Sequence, residues 1–235
     1  MLEVKNLSAG YGRIPALHGV TLSVPDNSCV GILGRNGMGK TTLLRALIGQ
    51  LPAMQGNITY SGKDLTRSPS HKRAREGMGY VPQGRQIFNN LTVRDNLRMG
   101  CAKAFNAAED TIERVMVDFP RLTRLLDQPG GALSGGEQQL LALARCLCGN
   151  PSIILLDEPT EGIQPNICEE IIDTLKKLRR EQNVTVVLVE QDIDFLVSLS
   201  EELLIIDKGQ LVASVDPALM SVEDIAEKYV GFHSH

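Results

Sequence analysis

Gly34-Arg-Asn-Gly-Met-Gly-Lys-Thr-Thr42 follows the apolar run Cys29 to Leu33 and opens a stretch, Lys40 to Ile48, whose apolar residues recur at helical spacing. Between a strand and a helix, the pattern G-x-x-x-x-G-K-[ST] builds a cradle for phosphate. Glycines at 34, 37 and 39 let the backbone turn its N–H groups inward, and the new helix adds the positive end of its dipole. The expected binding loop therefore comprises Gly34, Arg35, Asn36, Gly37, Met38, Gly39, Lys40, Thr41 and Thr42. Lys40 is expected to hold β- and γ-phosphates, the Thr41 hydroxyl to ligate Mg²⁺, and Thr42 to donate near the α-phosphate. A glycine-rich turn that merely joined strand to helix would leave the lysine and both threonines unexplained.

Downstream, Ile153-Ile-Leu-Leu-Asp-Glu158 is an apolar strand ending in two carboxylates, at the strand edge where α/β ligand sites lie. It resembles a Walker B element. Asp157 is expected to hold Mg²⁺ through water, and Glu158 to polarise the attacking water as general base. Around these motifs, Leu2 to Leu7, Val20 to Val24, Asn57 to Tyr60 and Gly79 to Val81 read as strands, with turns at Ala9-Gly-Tyr-Gly and Pro25-Asp-Asn. The segment Lys63 to Glu76 is rich in Lys and Arg and reads as a solvated face. From Thr92 to Gly149 strand signals nearly vanish, and helices are expected at Val93 to Met99, Ala107 to Phe119 and Gly135 to Leu147. Then αβ alternation resumes: a helix from Pro165 to Arg180, a strand from Val184 to Val189, a helix from Asp192 and a strand from Leu203 to Ile206. Wholly apolar strands of this kind suit a buried parallel sheet.

Leu133-Ser-Gly-Gly-Glu-Gln-Gln139 stands before the apolar helix that precedes the Walker B strand. Ser134 with Glu137 makes a helix capping box in its own right. Here the sequence resembles the ATP-binding-cassette (ABC) family, over nearly the whole chain and in the family's motif order. The resemblance implies an α/β fold: a RecA-like P-loop NTPase core with an N-terminal antiparallel β subdomain and an inserted α-helical subdomain. One ABC ATPase domain would span 1–235, with core and β subdomain at 1–84 and 150–235 and the helical signature subdomain at 85–149. Ser134, Gly135, Gly136 and Glu137 would bind the ATP held by a second subunit. Gln83, in Tyr80-Val-Pro-Gln, resembles the Q-loop glutamine that reaches the metal where a transmembrane partner docks. Tyr11 resembles the aromatic that stacks on adenine, a role that needs only a flat π-face.

Two positions depart from the family's general pattern. Gln191, in Val187-Leu-Val-Glu-Gln191, stands where most members carry a switch histidine, and the four histidines, 18, 71, 233 and 235, all lie elsewhere. A glutamine can hydrogen-bond a phosphate or water but cannot accept a proton near neutrality, so catalysis should lean on Glu158. Gln164 stands where many members have Asp, which puts the usual cross-subunit contact in doubt. The wording Gln83-Gly-Arg and Thr160-Glu-Gly-Ile-Gln-Pro165 is similar to an importer branch serving branched-chain amino acids, urea and short amides, and closer to its urea-type subunit.

The resemblance implies a catalytic set of Glu158, Gln191 and Lys40, with Mg²⁺ accompanying ATP at Thr41, Gln83 and Asp157. The implied partners are transmembrane permease subunits, a second ATPase subunit, identical or not, and indirectly a solute-binding protein. The implied place is the cytoplasmic face of the cell membrane. Two alternatives belong to other classes: a soluble ABC ATPase of DNA repair or translation, and a regulatory nucleotide-binding module without turnover. The first usually brings fused cassettes, coiled-coil arms or basic extensions, none of which is evident in this sequence.

Composition agrees. With 24 Lys and Arg against 28 Asp and Glu the chain is mildly acidic, which argues against general nucleic-acid binding. Trp is absent and aromatics make up 4%, so stacking platforms for single strands are scarce. No apolar stretch is long enough for a membrane span, and no signal peptide is evident. The odd number of scattered cysteines, five, points to reduced and mostly buried thiols, and Cys146 with Cys148 does not suit a shared metal. Val222 to Tyr229 reads as one short amphipathic helix.

Overall fold

The computed structural model describes residues 1–101 and 105–231. Its elements run β1 (Leu2–Tyr11), β2 (Ile14–Val24), β3 (Cys29–Leu33), α1 (Lys40–Leu47), β4 (Ala53–Tyr60), β5 (Lys63–Asp64), α2 (Ser70–Arg75) and β6 (Met78–Val81). Four helices follow: α3 (Val93–Gly100), α4 (Ala108–Met116), α5 (Pro120–Thr123) and α6 (Gly135–Leu147). The chain then alternates through β7 (Ile153–Asp157), α7 (Pro165–Gln182), β8 (Thr185–Glu190), α8 (Ile193–Leu199), β9 (Glu202–Asp207), β10 (Gln210–Val215) and α9 (Val222–Ile225).

Two sheets result. An antiparallel sheet has the order β2-β1-β4-β5, and a second, of order β10-β9-β3-β8-β7-β6, is parallel except for its β9–β10 hairpin. Every residue of β3, β7 and β8 is buried, as a parallel sheet covered on both faces requires. Alternate side chains feed different cores, following the two-residue period of a strand. Cys29 and Leu33, Ile154 and Leu156, Val186 and Leu188 join the apolar cluster under α6, α7 and α8. Val30 and Ile32, Ile153 and Leu155, Val187 and Val189 join the cluster shared with α1 and the antiparallel sheet. Register then sets the site, because Leu33 pairs with Glu190, Val189 with Asp157, and Leu156 with Val81. The residues just past these strand ends therefore share one edge of the sheet.

The α/β fold with an antiparallel sheet and a helical insert is as the sequence implied, and four local differences have physical causes. First, β1 continues through Ala9 and Gly10, where a turn was expected. Gly10 packs so tightly on β2 that a Cβ would lie 2.0 Å from the Ile14 carbonyl oxygen, and the reversal moves to Gly12, at φ +63°. Second, β10 was not anticipated. Its hairpin turns on Lys208-Gly209, both at positive φ, a Gly-containing turn that the sequence displays. Third, Lys63, Arg67, Lys72 and Arg75 are exposed as a solvated face should be, but Arg73 is 1% exposed. Fourth, the C-terminal helix is α9 for one turn and then a wider π-type turn, Ala226–Val230. His233 and His235 lie outside the described residues. Cys29, Cys101 and Cys148 are buried, Cys146 and Cys168 partly so, and burial pushes the Cys29 thiol up to about 12.

Candidate functional site

The loop between β3 and α1 is built around its glycines. Gly39 sits at φ +104°, and a Cβ there would also press on Leu17 at 3.1 Å and Gly209 at 3.3 Å. At Gly34 a Cβ would meet Ile206 at 2.6 Å, so a side chain would push the loop off β9. Met38 is tied down by the β9–β10 hairpin, whose Gly209 N–H donates to the Met38 carbonyl at 2.9 Å. No side chain caps α1, which leaves its first N–H groups to an external anion. Lys40 is buried with its Nζ donating to the carbonyls of Gly34 at 2.7 Å and Arg35 at 3.1 Å. Its third partner is Glu158, at 2.9 Å from Oε1 in an ion pair nearly closed to solvent.

Asp157 ends β7. Its Oδ1 accepts from the Thr41 hydroxyl at 3.0 Å and its Oδ2 from the Tyr80 hydroxyl at 3.0 Å. Burial holds the Asp157 carboxyl above its usual range, against the opposing pull of the Thr41 and Tyr80 hydrogen bonds. Burial, with the adjacent Asp157, likewise pushes the Tyr80 phenol up, so it stays a donor at neutral pH. Among the described residues no cation lies within ion-pair distance of Asp157. A buried carboxylate without a cation, beside a threonine hydroxyl, is a set of hard oxygen donors that suits Mg²⁺. Glu158 adopts φ +46°, a left-handed conformation that non-glycine residues avoid. Its Oε2 accepts from Gln83 Nε2 at 3.0 Å, and the same nitrogen reaches Glu161 Oε2 at 3.1 Å.

From β8, Gln191 extends to the phosphate loop, where its Nε2 donates to Asn36 Oδ1 at 2.9 Å. Below it, the buried Glu190 accepts from the Gln191 N–H at 2.8 Å and from both the N–H and hydroxyl of Thr160. Asn36, Gly37, Gly39, Lys40, Thr41, Thr42, Gln83 and Glu158 line one cavity of about 310 Å³. A larger charged groove, about 840 Å³, lies between α5 and α7. Its walls include paired side chains, such as Arg121 with Glu170.

Tyr11 does not line the cavity. It stands half exposed at the end of β1, its hydroxyl 3.4 Å from Nη1 of Arg45 on α1. Ser134 to Glu137 lie outside the cavity too, at the exposed N-terminus of α6. There the capping box is complete, with Glu137 Oε2 accepting from the Ser134 N–H at 2.8 Å and hydroxyl at 2.7 Å. Sequence reasoning missed Tyr80, Glu190, Arg45 and Arg85. Only Tyr80 and Arg85 carried a visible signal, since both flank the Gln83 motif.

A phosphate loop opening a helix, beside a buried strand that ends in two carboxylates on a parallel sheet, defines a P-loop nucleotide hydrolase. The profile of the ABC transporter family matches residues 17–161. The high-affinity branched-chain amino acid transport ATP-binding protein BraG of Pseudomonas aeruginosa is 38% identical, over 98% of this chain and all of its own length. The lipopolysaccharide export system ATP-binding protein LptB of Escherichia coli is 34% identical, over 98% of this chain and 97% of its own. A nucleotide-free ATP-binding cassette from an ABC transporter superposes with a TM-score of 0.87 at 25% identity, covering 100% of this chain and 99% of that one. The dimeric bacterial cassette MJ0796 does so with a TM-score of 0.83 at 25% identity, over 92% of this chain and 99% of that one. The chain belongs to the ABC transporter ATPases, the ATP-hydrolysing nucleotide-binding subunits of ABC transporters.

Proposed function

We propose that the chain is the motor of an importer in the branched-chain amino acid and urea branch, bound at the cytoplasmic face of the cell membrane. The observation that carries this reading is the convergence of Lys40, Thr41, Gln83 and Glu158 on one cavity, with Asp157 bonded to Thr41 behind it. In this reading the γ-phosphate displaces Glu158 from Lys40. Lys40 then holds phosphate oxygens, and the free N–H groups of α1 hold the rest. Thr41 and Asp157, with Gln83 in reach, would hold Mg²⁺, which would supply charge neutralisation at the phosphate oxygens. Glu158, released from its lysine, accepts the proton of the water whose oxygen attacks the γ-phosphorus, and ADP leaves. Gln191 orients by hydrogen bonding alone, because an amide cannot take the proton. Tyr11, half exposed at the end of β1, stacks on the base in this reading.

The dimeric relative supports a sandwich in which Ser134 to Glu137 of one subunit close over the ATP of the other, at the N-terminus of α6. We assign 1–84 and 150–235 to the body that grips nucleotide and 85–149 to the body that presents the signature. A groove of about 420 Å³ lined by Tyr80, Pro82, Phe88, Met99 and Cys146 adjoins the Gln83 segment and offers an apolar seat for a permease loop. No helix among the described residues is long and apolar enough to cross a membrane, consistent with peripheral attachment. For the solute, the relative named for branched-chain amino acids supports that cargo, and the Gln83-Gly-Arg and Thr160 to Pro165 wording supports urea or short amides.

The decisive experiment uses the full chain and its reconstituted complex. Mg²⁺-dependent ATP hydrolysis is expected, and Glu158→Gln should abolish steady-state turnover while ATP still binds, with Gln191→Ala milder. Wild-type turnover in the Glu158→Gln variant would refute the mechanism. Stimulation by a loaded binding protein for urea, an amide or a branched-chain amino acid would identify the solute, whereas export of lipopolysaccharide by the complex would refute the importer assignment.

A further inference from the structure

Residues 84 to 86 carry the most unusual backbone outside the phosphate loop. Gly84, Arg85 and Gln86 stand in succession at φ +74°, +67° and +45°. Two of these bear side chains, and such residues persist in this region only where their surroundings hold them. Arg85 points one way. Its Nη2 donates to the carbonyls of Glu161 at 3.3 Å and Gly162 at 3.2 Å, the two residues that follow Thr160. The same guanidinium lies flat against Gly135, where a Cβ would fall 3.0 Å from Nη2 and 3.2 Å from Cζ. Gln86 and Phe88 face the other way. The Gln86 carbonyl accepts from Arg145 Nη2 at 2.8 Å, and the Arg145 guanidinium covers the Phe88 ring at 5.2 Å on the wall of the apolar groove.

No carboxylate among the described residues lies within ion-pair distance of Arg85. A cation at the N-terminus of α6 is moreover repelled by the helix dipole. The contact with Gly135 is thus held by two backbone carbonyls and the left-handed turn, not by local charge attraction. Nucleotide chemistry in the chain's own cavity requires no arginine at 85, and Arg85 does not line that cavity.

We infer that Arg85 is a positioning residue that clamps the signature turn to residues 161 and 162, so that both meet a partner subunit's nucleotide as one surface. The inference rests on the sandwich reading above. Gln83 also reaches Glu161, but in the mechanism proposed above its side chain would turn to the metal, which would leave Arg85 as the tie between the segment beside the apolar groove and this surface.

The test uses the full chain, with its second ATPase subunit where one co-purifies, in a Glu158→Gln background that traps ATP. Dimerisation is read by light scattering and nucleotide affinity of the monomer by fluorescent ATP. Arg85→Ala should leave monomer affinity within about twofold and weaken ATP-driven dimerisation about tenfold, the loss of a charge-assisted pair of hydrogen bonds. With Glu158 restored, kcat should fall comparably at little changed KM. Arg85→Lys, which keeps a donor for the two carbonyls but loses the planar face against Gly135, should recover only part of the loss. Arg85→Ala that dimerises and turns over like its parent overturns the inference alone. Equal weakening of monomer nucleotide binding also overturns it, since Arg85 would then serve its own cavity. A Glu158→Gln parent that fails to dimerise with ATP overturns the sandwich and the inference together.

Discussion

Replacing Arg73 by leucine should loosen the phosphate-binding helix from its far end. Arg73 is 1% exposed and spreads its guanidinium over four carbonyls. Nη1 donates to Ala46 at 2.8 Å and Leu47 at 2.7 Å, closing the C-terminus of α1, while Nε reaches Ser68 at 2.8 Å and Nη2 reaches Thr66 at 3.2 Å. The Ala46 carbonyl keeps a second donor, the Gly49 N–H at 3.2 Å, whereas the buried Leu47 carbonyl and the partly buried Ser68 and Thr66 carbonyls lose theirs. A buried acceptor left unpaired costs about 1–3 kcal/mol, and each partly buried one about 1 kcal/mol, the low end of that range. A cation lost from a helix C-terminus costs about 0.3–1 kcal/mol more, and the buried leucine offsets about 2 kcal/mol. The net is about 3 kcal/mol, or roughly 8 °C in melting temperature for a chain of this size. Thermal and urea unfolding of the nucleotide-free chain measure it, with Lys72→Leu, at an exposed neighbouring position, as control. Arg73→Lys should fall between, because one ammonium cannot serve carbonyls on two sides. An Arg73→Leu chain within about 1 kcal/mol of wild type would refute the ledger, since that is the scale of a surface substitution.

Three further outcomes follow from the site's contacts. Tyr80→Phe removes one of the two donors on Asp157 and should raise the Mg²⁺ concentration at half-saturation, read by metal titration of the nucleotide complex, with unchanged ATP affinity in chelator. Asp157 takes up a proton more readily folded than unfolded, because burial lifts it above the ordinary 3.8. It therefore costs stability as pH rises through that window, and Asp157→Asn should melt higher at neutral pH without metal while losing metal affinity. Lys40→Met leaves Glu158 buried without its cation and should cost about 3–5 kcal/mol. Adding Glu158→Gln should return much of that loss in a double-mutant cycle, and additive effects would show that the pair is not coupled.

Strand and helix identities were legible wherever hydrophobic period and glycine placement coincided, as in β3, β7 and β8 and at the loop before α1. Boundaries failed where tertiary contact overrode the local signal. Gly10 reads as a turn residue, but its lack of a side chain serves close strand packing instead. Arg73 sits among exposed Lys and Arg residues, and nothing in its sequence neighbours says that it alone turns inward. In the site, residues drawn from one motif were readable because the chemistry demands them at fixed spacing. Glu190 and Arg45 were not, because each acts on a residue far away in sequence, Thr160 and Tyr11, and Tyr80 showed only its place beside Gln83, not its bond to Asp157. The Tyr80 and Glu190 contacts arise from the pairing of β6, β7 and β8, and that of Arg45 from the packing of α1 on β1, neither of which composition encodes.

The groups that the proposed chemistry needs are bonded to one another in this structure. Lys40 holds Glu158, Gln83 holds Glu158 and Glu161, and Gln191 holds Asn36. Glu158, the proposed base, is thus paired with the cation that the phosphate would claim, and both side chains are nearly closed to solvent. Filling the loop with a triphosphate and freeing the base are then one event, because the γ-phosphate can reach Lys40 only by displacing the carboxylate. In the proposed sandwich, the partner's signature turn would add further donors around that phosphate. A monomer that binds ATP should therefore release its base yet hydrolyse slowly, and closure of the dimer, rather than proton transfer at Gln191, becomes the step that sets the rate.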